Sequence, residues 1–196
     1  MAEPSRRAQI LEAAHRLLRH YGPQKTTMAD VAREASIGVG TVYLEFPSKD
    51  ALVEELSRKE YRAVLDGMRR AIVDAGPRAG DRLVRALEAR AVAFLALVDG
   101  TGAHACDLLH CGSDAVRAAQ GSYRDQEREV LQGILEQGRD SGELDVEDID
   151  VTLHVILLAY ASFAPPWIFK TDPHRLGTDI AAMHALVLRG LLARSR

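Results

Sequence analysis

The sequence predicts an all-α protein of about nine helices. Alanine, leucine, arginine and glutamate are abundant among its 196 residues, and apolar residues recur at three- and four-residue spacing along most of the chain. The apolar–polar alternation that marks a half-buried strand is not sustained anywhere. Hydrophobic residues make up 47% of the chain, so it can bury a sizeable core.

Capping residues and helix breakers delimit four helices in the first part of the chain. The expected spans are residues 5–21, 28–36, 39–46 and 49–75. Gly22 breaks the first helix. Thr27 is a good N-cap for the second helix, and Asp30 stands where a capping box places an acid. Pro47 ends the third helix, and Ser48 caps the fourth.

Five further helices are expected in the remainder of the chain. Their predicted spans are residues 81–98, 104–111, 113–140, 147–164 and 173–193. Breakers such as Gly142 and the Pro165-Pro166 pair separate them. We expect two domains: residues 1–50 form a small three-helix domain, and residues 51–196 form a larger helical domain.

Composition and charge limit where the protein works. The most apolar run contains His154, and it is shorter than the roughly 18 to 20 uninterrupted apolar residues of a membrane span. Arg6-Arg7 is followed by an amphipathic pattern rather than a signal peptide, and two cysteines supply no disulfide framework. We therefore expect a cytoplasmic protein without membrane contact. The net charge of −3, and the near balance of ten bases and nine acids up to Arg62, do not by themselves indicate nucleic-acid binding.

Helices two and three, joined by the turn Ser36-Ile37-Gly38, have the pattern of a helix-turn-helix. Small residues stand where the two helices must cross, namely Ala32, Ala35, Gly38 and Gly40. The apolar residues that can hold the pair against helix one are Val31, Ile37, Val42 and Phe46. In such a motif the N-terminal end of the second helix enters the major groove of DNA, and here that end is Val39-Gly40-Thr41.

The segments Thr26–Ala35 and Gly38–Leu52 together resemble the signature of TetR/AcrR-type repressors. The resemblance is detailed over about residues 5–60, and beyond them only helix number and lengths are similar. It implies an N-terminal DNA-binding domain, a helical ligand-binding and dimerisation domain, and a regulator that a small, largely apolar or aromatic inducer releases from its operator. The resemblance also implies which residues contact double-stranded operator DNA. These are Thr27, Val39, Gly40, Thr41, Tyr43, Leu44 and Lys49.

Several of these residues have an alternative role. Thr27 could act only as an N-cap, Tyr43 could pack in the core, and Lys49 could be a solvated surface charge. The chain also departs from the family, which commonly has Tyr, Trp or Arg at the position of Leu44 and His at that of Glu45. Glu45 then either reads a cytosine amino group or faces solvent, and apolar contact with a thymine methyl group is open to the helix.

The resemblance also implies that the last two helices pair with those of a second subunit as a four-helix bundle. The expected interface residues are Ile180, Met183, His184, Val187 and Leu191. Such an isologous dimer fits a pseudo-palindromic operator. The alternative is that this apolar stripe belongs to the core of a single chain.

A pocket for the inducer is expected inside the helices of about residues 81–170, lined mostly by apolar side chains with a few polar groups. The candidate residues are Phe94, His110, Tyr123, His154, Tyr160, Phe163 and Trp167. Ordinary core packing is the alternative for each of them. We expect helix four to link this pocket to the DNA-binding domain.

The cluster of His104, Cys106, His110 and Cys111 invites a metal or redox interpretation. On one helix, positions 106 and 110 share a face, whereas 104 and 111 share a different one, so the four side chains cannot converge unless the helix breaks. We therefore expect no metal and no cofactor. No nucleophile elbow, phosphate-binding loop, dinucleotide-binding pattern or zinc-protease motif is present, so we expect no enzyme. The competing function is a DNA-binding architectural or cell-division factor of the same fold without an inducer.

Overall fold

The computed structural model describes residues 5–99, 109 and 113–192. Within these ranges the chain forms eight α-helices: α1 Arg6–Tyr21, α2 Met28–Glu34, α3 Val39–Glu45, α4 Lys49–Asp74, α5 Ala79–Asp99, α6 Asp114–Asp140, α7 Ile149–Ala159 and α8 Pro173–Leu191. Two short 3₁₀ segments, Ala161–Phe163 and Trp167–Lys170, connect α7 to α8. The β-type pairing in this part of the chain is one isolated bridge between Leu144 and Leu192. The all-α prediction is confirmed.

The chain divides into two compact units, and each is built from two stretches of sequence. The first unit comprises Met1–Tyr61 and Leu97–Gly121, and the second comprises Arg62–Ala96 and Ser122–Arg196. α4, α5 and α6 each contribute residues to both units. A functional boundary near residue 50 stays a prediction. No helix in the described ranges is both long enough and apolar enough to span a membrane.

Local sequence explains where the first helices begin and end. Ser5 and Ser48 each accept a hydrogen bond from the amide three residues further on, at 3.2 and 3.1 Å, and so cap α1 and α4. Thr27 and Asp30 form the predicted reciprocal capping box at the start of α2. Gly22 follows α1 with a φ of 80°, which lies in the left-handed region that favours glycine.

The first unit has one apolar core, to which α1, α2 and α3 contribute. Its buried members are Ile10, Ala13, Ala14, Leu18, Met28, Val31, Ala32, Ala35, Val42, Phe46, Leu52, Val53, Leu56 and Val116. The members from α1 recur at helical spacing, so that one face of this helix is buried. The alanines of α2 leave room for the neighbouring helices to approach closely.

The turn between α2 and α3 contains the predicted Ser36-Ile37-Gly38, with Ala35 before them because α2 ends at Glu34. Ser36 has a φ of 55°, and the amide of Ile37 donates to the carbonyl of Ala32 at 2.9 Å. Gly38 then caps α3 with extended backbone, and its carbonyl accepts a hydrogen bond from the Thr41 amide at 2.9 Å. Backbone hydrogen bonds therefore stabilise the turn of the helix-turn-helix.

In the second unit, α7 and α8 lie side by side in opposite directions. The amide of Asp145, which precedes α7, donates to the carbonyl of Leu191 at the end of α8, at 2.7 Å. Tyr160, which follows α7, lies with its hydroxyl oxygen 2.6 Å from Nδ1 of His184 in the middle of α8. The start of α7 is thus near the end of α8.

The turn after α6 holds the first residues of α5. The carboxylate of Glu143 accepts hydrogen bonds from the amides of Ala79 and Gly80 at 2.8 and 2.9 Å. A side chain in place of Gly138 would overlap Leu144 and Ala79, so this close approach requires glycine.

One helix ends earlier than predicted, whereas the other described helices end within two residues of their predicted bounds. The sequence predicts a helix over residues 147–164, but α7 ends at Ala159. The amide of Phe163 donates to the carbonyl of Tyr160 at 3.1 Å, so the backbone tightens into a 3₁₀ turn before Pro165-Pro166. The short helix predicted over residues 104–111 lies outside the described residues, apart from the single position 109.

Candidate functional site

α3 is held by one face and exposes the opposite one. Val42 and Phe46 are buried, so they anchor the helix in the first unit. At about 100° per residue, Gly40 and Leu44 lie on the side opposite Val42. Leu44 is 87% exposed, and Tyr43 beside it is half exposed. Core packing of Tyr43, one of its two predicted roles, is therefore wrong.

The first turn of α3 carries only small side chains. Val39 is exposed and Thr41 is half-buried. A Cβ atom added at Gly40 would meet no other atom within 4 Å, so the space beside it is open. A partner molecule can therefore approach the backbone of this turn closely.

Thr27 caps α2 through three hydrogen bonds with Asp30. Its hydroxyl accepts from the Asp30 amide at 3.2 Å and donates to Oδ2 of the same residue at 2.6 Å. The Thr27 amide donates to that oxygen as well, at 3.0 Å. These bonds, the one from the hydroxyl first, hold the pKa of Asp30 below its usual value. The capping role is thus confirmed, and contact with phosphate stays a prediction.

Lys49 is not a solvated surface charge. Its side chain is half-buried, and Nζ donates to the carbonyl of Pro23 at 2.8 Å and lies 3.5 Å from that of Thr26. The ammonium group therefore ties the start of α4 to the loop between α1 and α2. A phosphate that contacts Lys49 would therefore share its ammonium group with these two carbonyls.

Glu45, at the end of α3, has a cation beside it. Nη1 of Arg7 donates to the Glu45 carbonyl at 2.8 Å and lies 4.0 Å from its carboxylate. The same guanidinium stacks 4.1 Å above the ring of Phe46 and reaches Glu55 at 3.7 Å. Arg7 therefore reduces the repulsion that this half-buried carboxylate would exert on a phosphate.

A comparison with family models matches this helix-turn-helix. The model described as bacterial regulatory proteins of the tetR family covers residues 10–56, which run from α1 into α4. The chain is a TetR-family transcriptional regulator. The matched range contains the whole of α2 and α3, and the DNA-binding character of this regulator rests on it.

Relatives extend the similarity over the rest of the regulator. YhgD, an HTH-type transcriptional regulator of Bacillus subtilis, is 26% identical over 96% of this chain and 97% of its own length. The probable acrEF/envCD operon repressor of Escherichia coli K12 is 25% identical, over 93% of this chain and 85% of its own length. The crystal structure of FadR from Bacillus subtilis in complex with stearoyl-CoA has a TM-score of 0.71 at 20% identity, over 93% of this chain and 97% of that chain. This last similarity shows the fold, a helix-turn-helix domain followed by a helical domain.

Four of the residues predicted to line the pocket for the inducer, or effector, are buried in the second unit: Phe94, Tyr123, Tyr160 and Phe163. They form two pairs. The rings of Phe94 and Tyr123 meet edge to face with centroids 5.8 Å apart, and those of Tyr160 and Phe163 are also 5.8 Å apart. Such contacts add to the energy of burial.

Arg90 connects the two aromatic pairs. It was not among the site residues predicted from the sequence. Its Nε lies 2.5 Å from Oε1 of Glu127, a buried ion pair in which this N–H makes no aligned hydrogen bond. Nη1 donates to the Tyr160 carbonyl at 3.4 Å, and the Tyr123 hydroxyl donates to Glu127 at 2.7 Å. Burial acts to lower the pKa of Arg90, but Glu127 and then Tyr123 raise it above its usual value.

The pattern of α5 could have revealed this arginine. Leu83, Leu87, Arg90 and Phe94 follow one another at helical spacing, so the arginine stands in an apolar stripe. A charged residue at such a position is expected to have a buried partner. The spacing of residues along α5 does not show which residue of another helix is that partner.

Tyr160 and His184 form a second polar contact inside this unit. The hydroxyl oxygen lies 2.6 Å from Nδ1 of the imidazole, and Nε2 is buried without a partner. Burial raises the pKa of Tyr160 to about 12. Burial lowers the pKa of His184 below its usual value, and the charge of Glu88 opposes this shift.

The remaining effector candidates are not brought into the interior. His154 is exposed, and Trp167 is 58% exposed with Nζ of Lys170 lying 5.7 Å from its ring centroid. The single chain therefore does not enclose either side chain, and their part in an effector site stays a prediction. His110, like His104, Cys106 and Cys111, lies outside the described residues. Among the residues that are described, no group of three or more His, Cys, Asp or Glu side chains could hold a metal ion.

The predicted interface stripe on α8 is partly covered within its own subunit, and its part in dimerisation stays a prediction. Ile180 is buried, and the other predicted members, Met183, His184, Val187 and Leu191, are each half-buried within the single chain. A different set of apolar side chains is exposed: Val151, Val155 and Leu158 on α7, and Leu186 on α8. The three on α7 stand at helical spacing and form one face. We call these four residues the outer face.

Proposed function

We propose that this TetR-family regulator is a repressor that binds operator DNA as a homodimer and leaves it when a small, largely apolar or aromatic effector binds. The observation that carries the proposal is the outward face of α3, exposed on a helix whose other side is fully packed. A helix held in this way can present its side chains to the major groove. Repression is supported by the Escherichia coli relative, whose name describes an operon repressor.

In this function α3 reads the operator, and neighbouring elements hold the phosphates. Thr41 and Tyr43 flank the outward face and carry its hydroxyl groups, while Val39 supplies apolar contact. Lys49 positions the loop before α2 and adds a positive charge at the edge of the motif. Contacts of this second kind fix position without reading sequence.

Dimerisation uses the outer face. Scattered exposed apolar residues are common on proteins, but three in register on one helix are typical of a surface that a partner covers. Covering it with the same face of a second subunit gives an isologous dimer with two recognition helices. These must lie about 34 Å apart, or a multiple of that distance, to read two half-sites.

We place the effector among the buried aromatic residues of the second unit. Phe94 and Phe163 supply apolar surface, and the Arg90–Glu127 pair and the unpartnered Nε2 of His184 supply polar groups. A mostly apolar lining with a few directed polar groups is typical of small-molecule sites. The FadR structure, solved with stearoyl-CoA, is a case in which a protein of this fold holds a partly apolar ligand. Because α4 contributes residues to both units, we expect it to be the element through which effector binding changes the distance between the two α3 helices of the dimer.

The test is the reciprocity of effector and operator binding. Fatty-acyl and aromatic compounds are screened for a rise in the melting temperature of the full chain, since a ligand of the native state stabilises it by mass action. Each hit must then weaken operator binding by the factor by which the operator weakens binding of the hit. Hits that bind free and operator-bound protein equally would overturn the inducible mechanism and favour an architectural or cell-division factor.

Matched tyrosine variants locate the site. Tyr123→Phe removes a buried hydroxyl that donates to Glu127, whereas Tyr21→Phe removes one from an exposed side chain of α1. We expect Tyr123→Phe alone to change the affinity of the effector. Equal effects from both substitutions, or from neither, would place the effector elsewhere.

A further inference from the structure

The outward face of α3 has an unusual chemistry for a helix that reads DNA. Its sequence, VGTVYLE, contains no arginine, lysine, asparagine or glutamine. Those are the side chains that pair with guanine and adenine through two hydrogen bonds. An apolar residue, Leu44, is 87% exposed on this helix.

The major groove offers one apolar group that such a side chain can recognise. This group is the C5 methyl of thymine, which cytosine lacks. Leu44 lies four residues after Gly40 on the same side of α3, about 6 Å further along the helix axis. Since the space beside Gly40 is open, the helix can come close to the bases without a Cβ atom between them.

We propose that Leu44 is a specificity-determining residue that packs against a thymine methyl group, and that Gly40 permits the close approach that this contact needs. The inference rests on the proposed function, in which α3 reads the operator. Each operator half-site then contains a thymine whose methyl group contributes to affinity. Thr41 and Tyr43, which are near Leu44 on α3, add hydrogen bonds to the DNA. Glu45 is held beside Arg7.

The test replaces thymine by deoxyuridine, which keeps every hydrogen-bonding group and removes only the methyl. The preferred operator is first selected from random double-stranded DNA with the full chain. Each thymine in it is then changed to deoxyuridine in turn. We expect at least one position per half-site at which affinity falls about fourfold, the effect of burying one methyl group. In the Leu44→Ala variant that difference should disappear.

Two control variants separate this contact from general effects. Val73→Ala shortens another exposed apolar side chain, on α4, and should keep the full deoxyuridine effect. Gly40→Ala should leave the melting temperature unchanged or raise it, because alanine favours helix, yet should weaken operator binding. Gly121→Ala, at an equally open position of α6, should leave binding unchanged.

Each outcome decides the matter. Deoxyuridine that is neutral at every position, or an effect that persists in Leu44→Ala, would overturn the inference while the proposed function stands. A normally folded Gly40→Ala variant with wild-type affinity would overturn the close approach. If the selection enriched no sequence, the proposed function itself would fail, and this inference with it.

Discussion

Replacing Leu186 by glutamate should convert the protein into folded monomers. Leu186 is 66% exposed in the single chain, and full burial of a leucine side chain stabilises by about 1.5–3 kcal/mol. Roughly 1–2 kcal/mol therefore remains to be gained when a second subunit covers it, and about twice that per dimer. A carboxylate there loses this gain and adds the desolvation of an unpaired charge. A loss of at least about 3 kcal/mol corresponds to a dissociation constant raised at least about 100-fold.

The assay is sedimentation velocity across micromolar concentrations, with circular dichroism to report helix content. Two control substitutions test the orientation of the helices. Ile180→Glu, on the inner side of the same helix, should unfold the chain, because Ile180 is buried in its own subunit. Leu44→Glu adds the same charge at the exposed surface of α3 and should leave the dimer intact.

Two results would contradict this reasoning. A Leu186→Glu variant that stays dimeric with an unchanged dissociation constant would show that the outer face is not the interface. Folded monomers from Ile180→Glu would instead place the interface on the stripe of Ile180, Met183 and Val187.

Three further predictions concern the interior and the DNA-binding unit. Arg90→Met should cost about 3–5 kcal/mol, because it leaves the carboxylate of Glu127 buried without a partner, and should lower the melting temperature by roughly 6–20 °C. The double variant Arg90→Met/Glu127→Leu should recover much of this loss, and a double variant no better than the single one would show that the pair is not the cause. His184 has a lowered pKa, so the unfolded chain takes up its proton first, and stability should fall as the pH drops through about 6.5. His184→Gln should flatten this part of the stability curve, and an unchanged curve would assign it to another group. Lys49→Ala should weaken binding to all DNA sequences alike, whereas Thr41→Ala should change sequence preference, and identical profiles over a panel of operators would refute the separate roles.

The helix bounds of the first unit were predictable because their causes are local. Thr27 and Asp30 satisfy each other within four residues, and Ser48 caps α4 in the same way. The end of α7 was not predictable, because Pro165-Pro166 suggested the last possible stop and nothing nearby marked the earlier tightening at Tyr160.

The helix-turn-helix that carries the proposed DNA-binding residues was predictable, but the contacts of Lys49 were not. Its hydrogen bond to the Pro23 carbonyl joins residues 26 positions apart, and spacing carries no signal for such a contact. The faces of α8 show a related limit. Ile180 and Leu186 are both large apolar residues of α8, and only the packing of α8 in the second unit shows that the first is buried and the second exposed.

Many of the bases in the DNA-binding unit form ion pairs with acids of the same unit. Of the ten bases up to Arg62, at least five contact acids of the same unit: Arg7, Arg16, Arg33, Arg58 and Lys59. Exposed pairs of this kind contribute only about 0–1 kcal/mol each, so a DNA phosphate can compete with the acid for the base. The charge that meets DNA is therefore set by which pairs can exchange partners, and the net charge of −3 is a poor guide to it. Because each exchange also frees an acid beside the DNA, operator affinity should fall with salt less steeply than for a protein with six to ten unpaired phosphate-binding bases.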